Sequence, residues 1–151
     1  MRPIFTIGYE DATVASFLEA LREAGVELLV DVRAVAASRR PGFAKTRLAE
    51  NLAGAGIDYL HLRGLGTPAD GRAAARAGRQ DELRAIYSEH LATPGARAEL
   101  EALADLVRSG RRVCLLCLEA DPARCHRSMV AEALGGLVPV RVTHLAPGDE
   151  D

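Results

Sequence analysis

The sequence contains no Trp, and aromatic residues make up only 4% of it. Core material must therefore come mainly from Leu, Val and Ala, and a base-stacking platform for single-stranded nucleic acid is not expected. No apolar run is long enough to span a bilayer. The first apolar run breaks at Gly8 and is followed by Tyr9, Glu10 and Asp11, which does not read as a secretory signal. The expected location is cytoplasmic, with no membrane partner. Only three cysteines are present, Cys114, Cys117 and Cys125, clustered near the C-terminus. An odd, clustered set is a poor disulfide framework, and in a reducing compartment it predicts buried, reactive or metal-bound thiols. Lys is almost missing: of 19 basic residues only Lys45 is Lys. The abundant Ala points to codon bias, so no function is read from this.

What is present fits an ordinary globular chain. It has 151 residues, 48% hydrophobic and 26% charged, with a net charge of −2. That length suits one domain with one sizeable core, expected over residues 1–146, followed by an acidic, disordered tail at 147–151. The net charge provides no global basic field for nucleic acid. Locally, however, residues 32–49 contain no acid, while Arg33, Arg39, Arg40, Lys45 and Arg47 are cationic.

Short apolar runs alternate with helical patterns. Residues 4–7, 27–32, 57–62, 113–118 and 139–145 read as strands. Helices are expected from Thr13 to the stop at Gly25, at 45–53, 81–91 and 95–108, and from the Asp121-Pro122 start to about Leu134. Residues 63–79 hold four Gly and one Pro and read as a loop. The order β-α-β-α-β-α-α-β-α-β predicts an α/β fold: one three-layer domain, with a mainly parallel sheet of about five strands and helices on both faces. In such sheets ligands bind beyond the carboxyl ends of the strands. That rule brings Gly8-Tyr9, Arg33, His61-Arg63 and Cys117-Glu119 to one edge.

Three segments carry chemistry. Asp31 lies in an apolar strand two residues before Arg33, and a buried carboxylate needs hydrogen bonds or a charged partner. It either ties down a loop through backbone N–H groups or contacts a ligand. Ser38, Arg39, Arg40 and Lys45 precede or open a helix, where guanidinium groups and free N–H groups suit an anion; the bland alternative is a solvated basic loop. Cys117 ends the most hydrophobic strand, and Cys125, His126 and Arg127 are expected in the first turns of the next helix. A helix N-terminus and neighbouring cations favour thiolate, His126 suits acid–base work near neutral pH, and Glu119 is a second candidate base. Cys125 as inert packing is the competing reading. The interval from Cys117 to Arg124 is one residue longer than in cysteine-phosphatase loops, lacks Gly and carries Glu119 and Asp121, which excludes that chemistry. Cys117, Cys125, His126 and His61 could in principle ligate zinc. However, adjacent helical residues point about 100° apart and no C-x2-C pair is present, so no metal site is assigned. Cofactors stay unassigned.

These residues resemble the DUF488 family, a mostly prokaryotic group with no settled activity. The resemblance rests on Thr6-Ile7-Gly8-Tyr9; on Leu29-Val30-Asp31-Val32-Arg33 with Ser38-Arg39 and Pro41-Gly42-Phe43; on Tyr59-Leu60-His61-Leu62 with Leu65-Gly66; and on Leu115-Leu116-Cys117-Leu118-Glu119 with Cys125-His126-Arg127. Glu10 and Thr67 depart from the family pattern, which often has Ser and Gly there. The resemblance implies a fold and a site at the strand ends. A weaker likeness is to rhodanese-like domains, although the segment after Cys117 lacks the Gly-rich donors of a sulfur-transfer loop.

Three functions compete. The first is an enzyme or binding protein for a small phosphate- or nucleotide-like anion. Its expected catalytic groups are Cys117, Glu119, Cys125 and His126, and its ligand contacts Gly8, Tyr9, Asp31, Arg33, Ser38, Arg39, Lys45, His61, Gly66 and Arg127. The second is a nucleic-acid-binding module using the Arg39–Arg47 patch and the Arg72–Arg79 loop. The third is an interaction domain in which Glu119 and Arg127 pair to pin the last helix.

Overall fold

The computed structural model describes residues 1–122 and 125–147. Five strands form a single sheet: β1 (Arg2–Gly8), β2 (Leu28–Asp31), β3 (Asp58–His61), β4 (Val113–Cys117) and β5 (Val140–Leu145). Their order is β3-β2-β4-β1-β5, and every pairing is parallel. Among the described residues six α-helices connect them: α1 (Val14–Glu23), α2 (Lys45–Gly54), α3 (Ala69–Arg76), α4 (Gln80–Leu91), α5 (Pro94–Arg108) and α6 (Arg127–Gly135). The expected α/β class and parallel sheet are observed. No helix among the described residues is long and apolar enough to cross a membrane.

Local chemistry accounts for the clearest boundaries. Thr13 and Ser16 form a reciprocal capping box at the start of α1. Thr93 caps α5, with Pro94 at the first helical position. β4 is continuously apolar because it is central and buried on both faces. Its side chains alternate between two cores. Val113, Leu115 and Cys117 face Leu83, Leu100, Leu103 and Leu134 of α4, α5 and α6. Cys114 and Leu116 face Phe17, Leu21, Leu48 and Leu52 of α1 and α2.

This layering sets the functional edge. After β1 and β2 the chain leaves toward the α1–α2 layer, whereas after β4, which lies between them, it leaves toward the α6 layer. Loops from neighbouring strands therefore diverge at the ends of β2, β4 and β1, which opens a crevice.

Two expectations fail. Residues 63–79 are not a loop: a 3-10 turn spans Arg63–Leu65, and α3 follows Pro68. The Ala-rich run 73–75 favours helix, and Gly71 fits because a Cβ there would press within 2.5 Å of Thr67 Cγ2. Nor does an α-helix begin at Asp121-Pro122: Pro122 is in 3-10 conformation, and its carbonyl accepts from Cys125 N–H at 3.4 Å. α6 starts at Arg127, and Cys125 and His126 precede it. Of the expected 147–151 tail only Pro147 lies within the described residues, and residues 123–124 also fall outside them.

Candidate functional site at the strand ends

The end of β2 is a closed electrostatic unit. Asp31 is fully buried. Its Oδ1 accepts from the Arg33 backbone N–H at 3.1 Å and Arg33 Nε at 2.8 Å; its Oδ2 accepts from Arg33 Nη2 at 2.7 Å and the Tyr59 hydroxyl at 2.6 Å. Arg33 Nη1 donates to the Tyr9 hydroxyl at 3.1 Å and the Phe43 carbonyl at 2.8 Å. Burial opposes the charge of Arg33, but the paired Asp31 carboxylate outweighs it, and the guanidinium pKa is raised. The Tyr59 phenol is pushed up by burial and by Asp31. Tyr9 stacks on Phe43 with centroids 4.7 Å apart. Asp31, Arg33 and Tyr9 thus satisfy one another, so the loop-tying reading of Asp31 is the one its contacts fit.

Two histidines brace the chain leaving β2. His126 Nε2 lies 2.6 Å from the Val32 carbonyl and His61 Nε2 lies 2.7 Å from the Arg33 carbonyl. Since a carbonyl only accepts, His126 Nε2 carries the proton and its Nδ1 keeps a lone pair, 3.8 Å from Cys125 Sγ. Burial, with Arg127 nearby, lowers the His126 pKa to about 4, so the ring is neutral at pH 7.

The β4–α6 turn differs from expectation in two ways. Cys117 and Cys125 form a disulfide with Cα atoms 7.1 Å apart, and Cys114 is the free, buried cysteine. Counting cysteines concealed this, because Cys114 points to the opposite face and leaves one matched pair. Arg127, expected to grip an anion, is fully buried. Its Nε donates to Thr6 Oγ1 at 3.1 Å, Nη2 to the Ala120 carbonyl at 3.1 Å, and Nη1 to the Glu119 carbonyl and to Cys117 Sγ, the latter at 3.4 Å. These four contacts hold the β4–α6 turn. Gly8 makes this possible, since a Cβ there would overlap the Glu119 carbonyl oxygen. Glu10, one of the departures from the family pattern, also ties the turn: its backbone N–H donates to the Leu118 carbonyl at 2.8 Å and its Oε1 accepts from Ala120 N–H at 3.2 Å.

A cavity of about 230 Å³ opens where these units meet. Cys117, Glu119, Cys125 and His126 line it together with Tyr9 and Arg33, and Ala34, Val35, Ala37, Leu83 and Leu118 add apolar wall. Thr67, Arg72, Ala75 and Arg76 complete it. Arg72 Nη1 donates to the Thr67 carbonyl at 2.9 Å, and Arg76 is exposed. The sequence places these two cations in a loop offered to nucleic acid and not at the strand-end site; their spacing, one helical turn apart, is the signal that puts them on one face of a helix. Gly66 shapes the cavity indirectly, since a Cβ there would overlap the Ala34 backbone where two loops cross.

The basic segment stands apart. Arg39 and Lys45 are exposed and do not line the cavity. Ser38 Oγ accepts from the Arg40 backbone N–H at 3.1 Å, and the Lys45 backbone N–H donates to the Ala36 carbonyl at 2.9 Å. The first N–H of α2 is therefore already occupied. Cys125 and His126 both precede α6, so the 100° separation of adjacent helical side chains does not hold them apart. One ligand atom from each of Cys117, Cys125 and His126 falls within 4.8 Å of the others. The disulfide keeps the two sulfurs from acting as thiolate ligands, so this donor set becomes available only on reduction.

Comparison with known proteins agrees with this picture at the level of family. The chain is 35% identical over 101 residues to the 23S rRNA (uracil(1939)-C(5))-methyltransferase RlmD of Chromohalobacter salexigens, covering 67% of this chain and 20% of that protein. No solved structure matches the chain. The family model described as "Domain of unknown function DUF488" matches residues 13–134, a span running from the cap of α1 almost to the end of α6, and the chain belongs to the DUF488 family.

Proposed function

We propose that this protein binds a small anionic ligand in the cavity at the carboxyl edge of its sheet and acts on it as an enzyme. The observation that carries the reading is the composition of that cavity. Arg72 and Arg76 stand on one wall, and Cys117, Glu119, Cys125 and His126 share the others. Cations beside titratable and sulfur side chains, at the point where strand-end loops diverge, are the combination expected of a site that orients a charged substrate beside reactive groups. The volume favours a small ligand. Cavities for drug-sized molecules run from roughly 300 to 1,000 Å³, so about 230 Å³ suits a phosphate- or carboxylate-bearing metabolite better than an enclosed nucleotide.

The test is calorimetry of inorganic phosphate and pyrophosphate binding at low salt. Wild-type protein binds, whereas Arg72→Ala/Arg76→Ala loses most of the affinity and Arg39→Ala/Lys45→Ala keeps it. Equal binding by both double variants overturns this placement of the ligand.

A second reading has its own support. Arg39, Lys45 and Arg47 are exposed in a segment without acids, and the similar RlmD protein is named for acting on 23S rRNA. An RNA-contacting module would bind with a steep salt dependence, lost in Arg39→Ala/Lys45→Ala/Arg47→Ala. A titration of single- and double-stranded RNA at two salt concentrations decides it, and absence of binding at low salt ends it.

A further inference from the structure

Building on the anion site proposed above, we propose that Cys117 and Cys125 are a redox-active pair whose disulfide exchanges with a small thiol that itself carries carboxylate or phosphate groups. Three observations point this way. Cys117 and Cys125 are 1% and 3% exposed, yet both line the cavity floor, whereas Cys114 is buried on the other face of the sheet and does not line it. The two sulfurs of the disulfide have unlike neighbours: Cys117 Sγ lies 3.4 Å from Arg127 Nη1 and 3.6 Å from Glu119 Oε2, while Cys125 Sγ lies 3.8 Å from His126 Nδ1. The cations on the cavity wall, Arg72 and Arg76, belong to α3, an element separate from the turn that carries the sulfurs. A negatively charged thiol would thus be drawn in by one wall and meet sulfur at another.

The chemistry balances as two successive exchanges. The substrate thiolate attacks Cys125 Sγ; a new S–S bond forms, the Cys117–Cys125 bond breaks, and Cys117 leaves as a thiolate beside the Arg127 guanidinium. A second substrate thiolate attacks the substrate sulfur of that mixed disulfide and releases Cys125. Two substrate thiols are oxidised to one disulfide, and the protein disulfide is reduced to two thiols by two electrons. The two protons lost by the substrate thiols end on the cysteine sulfurs or in solvent, and His126 Nδ1 is placed to accept a hydrogen bond from the Cys125 thiol. The reverse sequence, with a small disulfide as oxidant, restores the starting state.

The experiment equilibrates the full chain with reduced and oxidised glutathione at a series of ratios, caps free thiols by alkylation and maps them by mass spectrometry. Cys117 and Cys125 are expected to titrate together in one two-electron transition of the folded protein, with Cys114 protected throughout. At equal thiolate concentration, 2-mercaptoethanol is expected to reduce the pair on the order of tenfold more slowly than glutathione, an advantage of the size charge steering gives, and Arg72→Ala/Arg76→Ala to abolish the difference. Cys117→Ser exposed to oxidised glutathione is expected to form a mixed disulfide at Cys125, and Cys125→Ser none at Cys117. A pair that reduces only on unfolding overturns the proposal, as does a reduced protein that holds stoichiometric zinc and resists reoxidation. Phosphate binding with a disulfide inert to both thiols removes the redox assignment and leaves the anion site intact. Exchange at equal rates with both thiols, without phosphate binding, overturns the anionic substrate and the anion site together.

Discussion

Two buried arginines sit at the same edge of the sheet and are held in opposite ways. Arg33 is clamped by a carboxylate, and its pKa rises. Arg127 is clamped by a hydroxyl, a sulfur and two backbone carbonyls, and burial lowers its pKa. The first arrangement is nearly self-contained and rigidifies the β2 exit. The second places a buried cation 3.4 Å from the Cys117 sulfur, where its positive charge favours thiolate once the disulfide opens and offsets the Glu119 carboxylate 3.6 Å from the same atom. Arginines at this edge can thus be bound up as scaffold, while the more exposed cations of the cavity wall, Arg72 and Arg76, come from the flanking helix α3.

The largest expected effect separates these two clamps. Asp31→Ala leaves Arg33 buried without its carboxylate and should cost about 3–5 kcal/mol, read by denaturant unfolding. A loss below about 1 kcal/mol would mean that the Arg33 cluster is not the closed unit described here.

The next effect tests the ring between the clamps. His126 titrates at about 4 in the folded protein against an ordinary value of 6.5. The unfolded chain therefore takes up a proton that the folded one refuses. Stability is full above about 6.5 and falls as pH drops to about 4, by on the order of 3 kcal/mol. His126→Gln should flatten that part of the stability–pH curve, and an unchanged slope would refute the buried, neutral ring.

The smallest effect sharpens the Arg127 side. Thr6 Oγ1 accepts from Arg127 Nε and lies 2.5 Å from His144 Nδ1. Thr6→Val removes one acceptor from a charged donor and should cost about 1.5–3 kcal/mol, with a matching fall in the rate at which the disulfide is reduced. Unchanged stability and rate would show that Arg127 does not depend on this anchor.

Much of this could be read from the sequence, and the misses have physical causes. Strand order of appearance, the central burial of β4 and the opposite facing of Cys114 and Cys117 follow from period-two alternation and continuous apolar runs. Gly8, Asp31, Cys117 and the His126 region do converge at one edge, as parallel topology requires. The helix α3 was hidden because Gly was taken as a breaker, whereas Gly71 is there to let Thr67 pack close. Asp121-Pro122 carries the signals of an α-helix start, but Arg127 takes the Glu119 and Ala120 carbonyls and α6 begins only at Arg127. Side-chain partners decide such cases. For the same reason, the local pattern does not show that Arg33 and Arg127 are buried among partners of their own.

The central claim, that the cavity between β1, β2, β4 and α3 is where an anion binds, is tested most directly by a crystal structure of the protein soaked with pyrophosphate. The account predicts density inside the cavity within hydrogen-bonding reach of Arg72 or Arg76 and close to Cys125. Density confined to the Arg39–Arg47 segment, with an empty cavity, would contradict it.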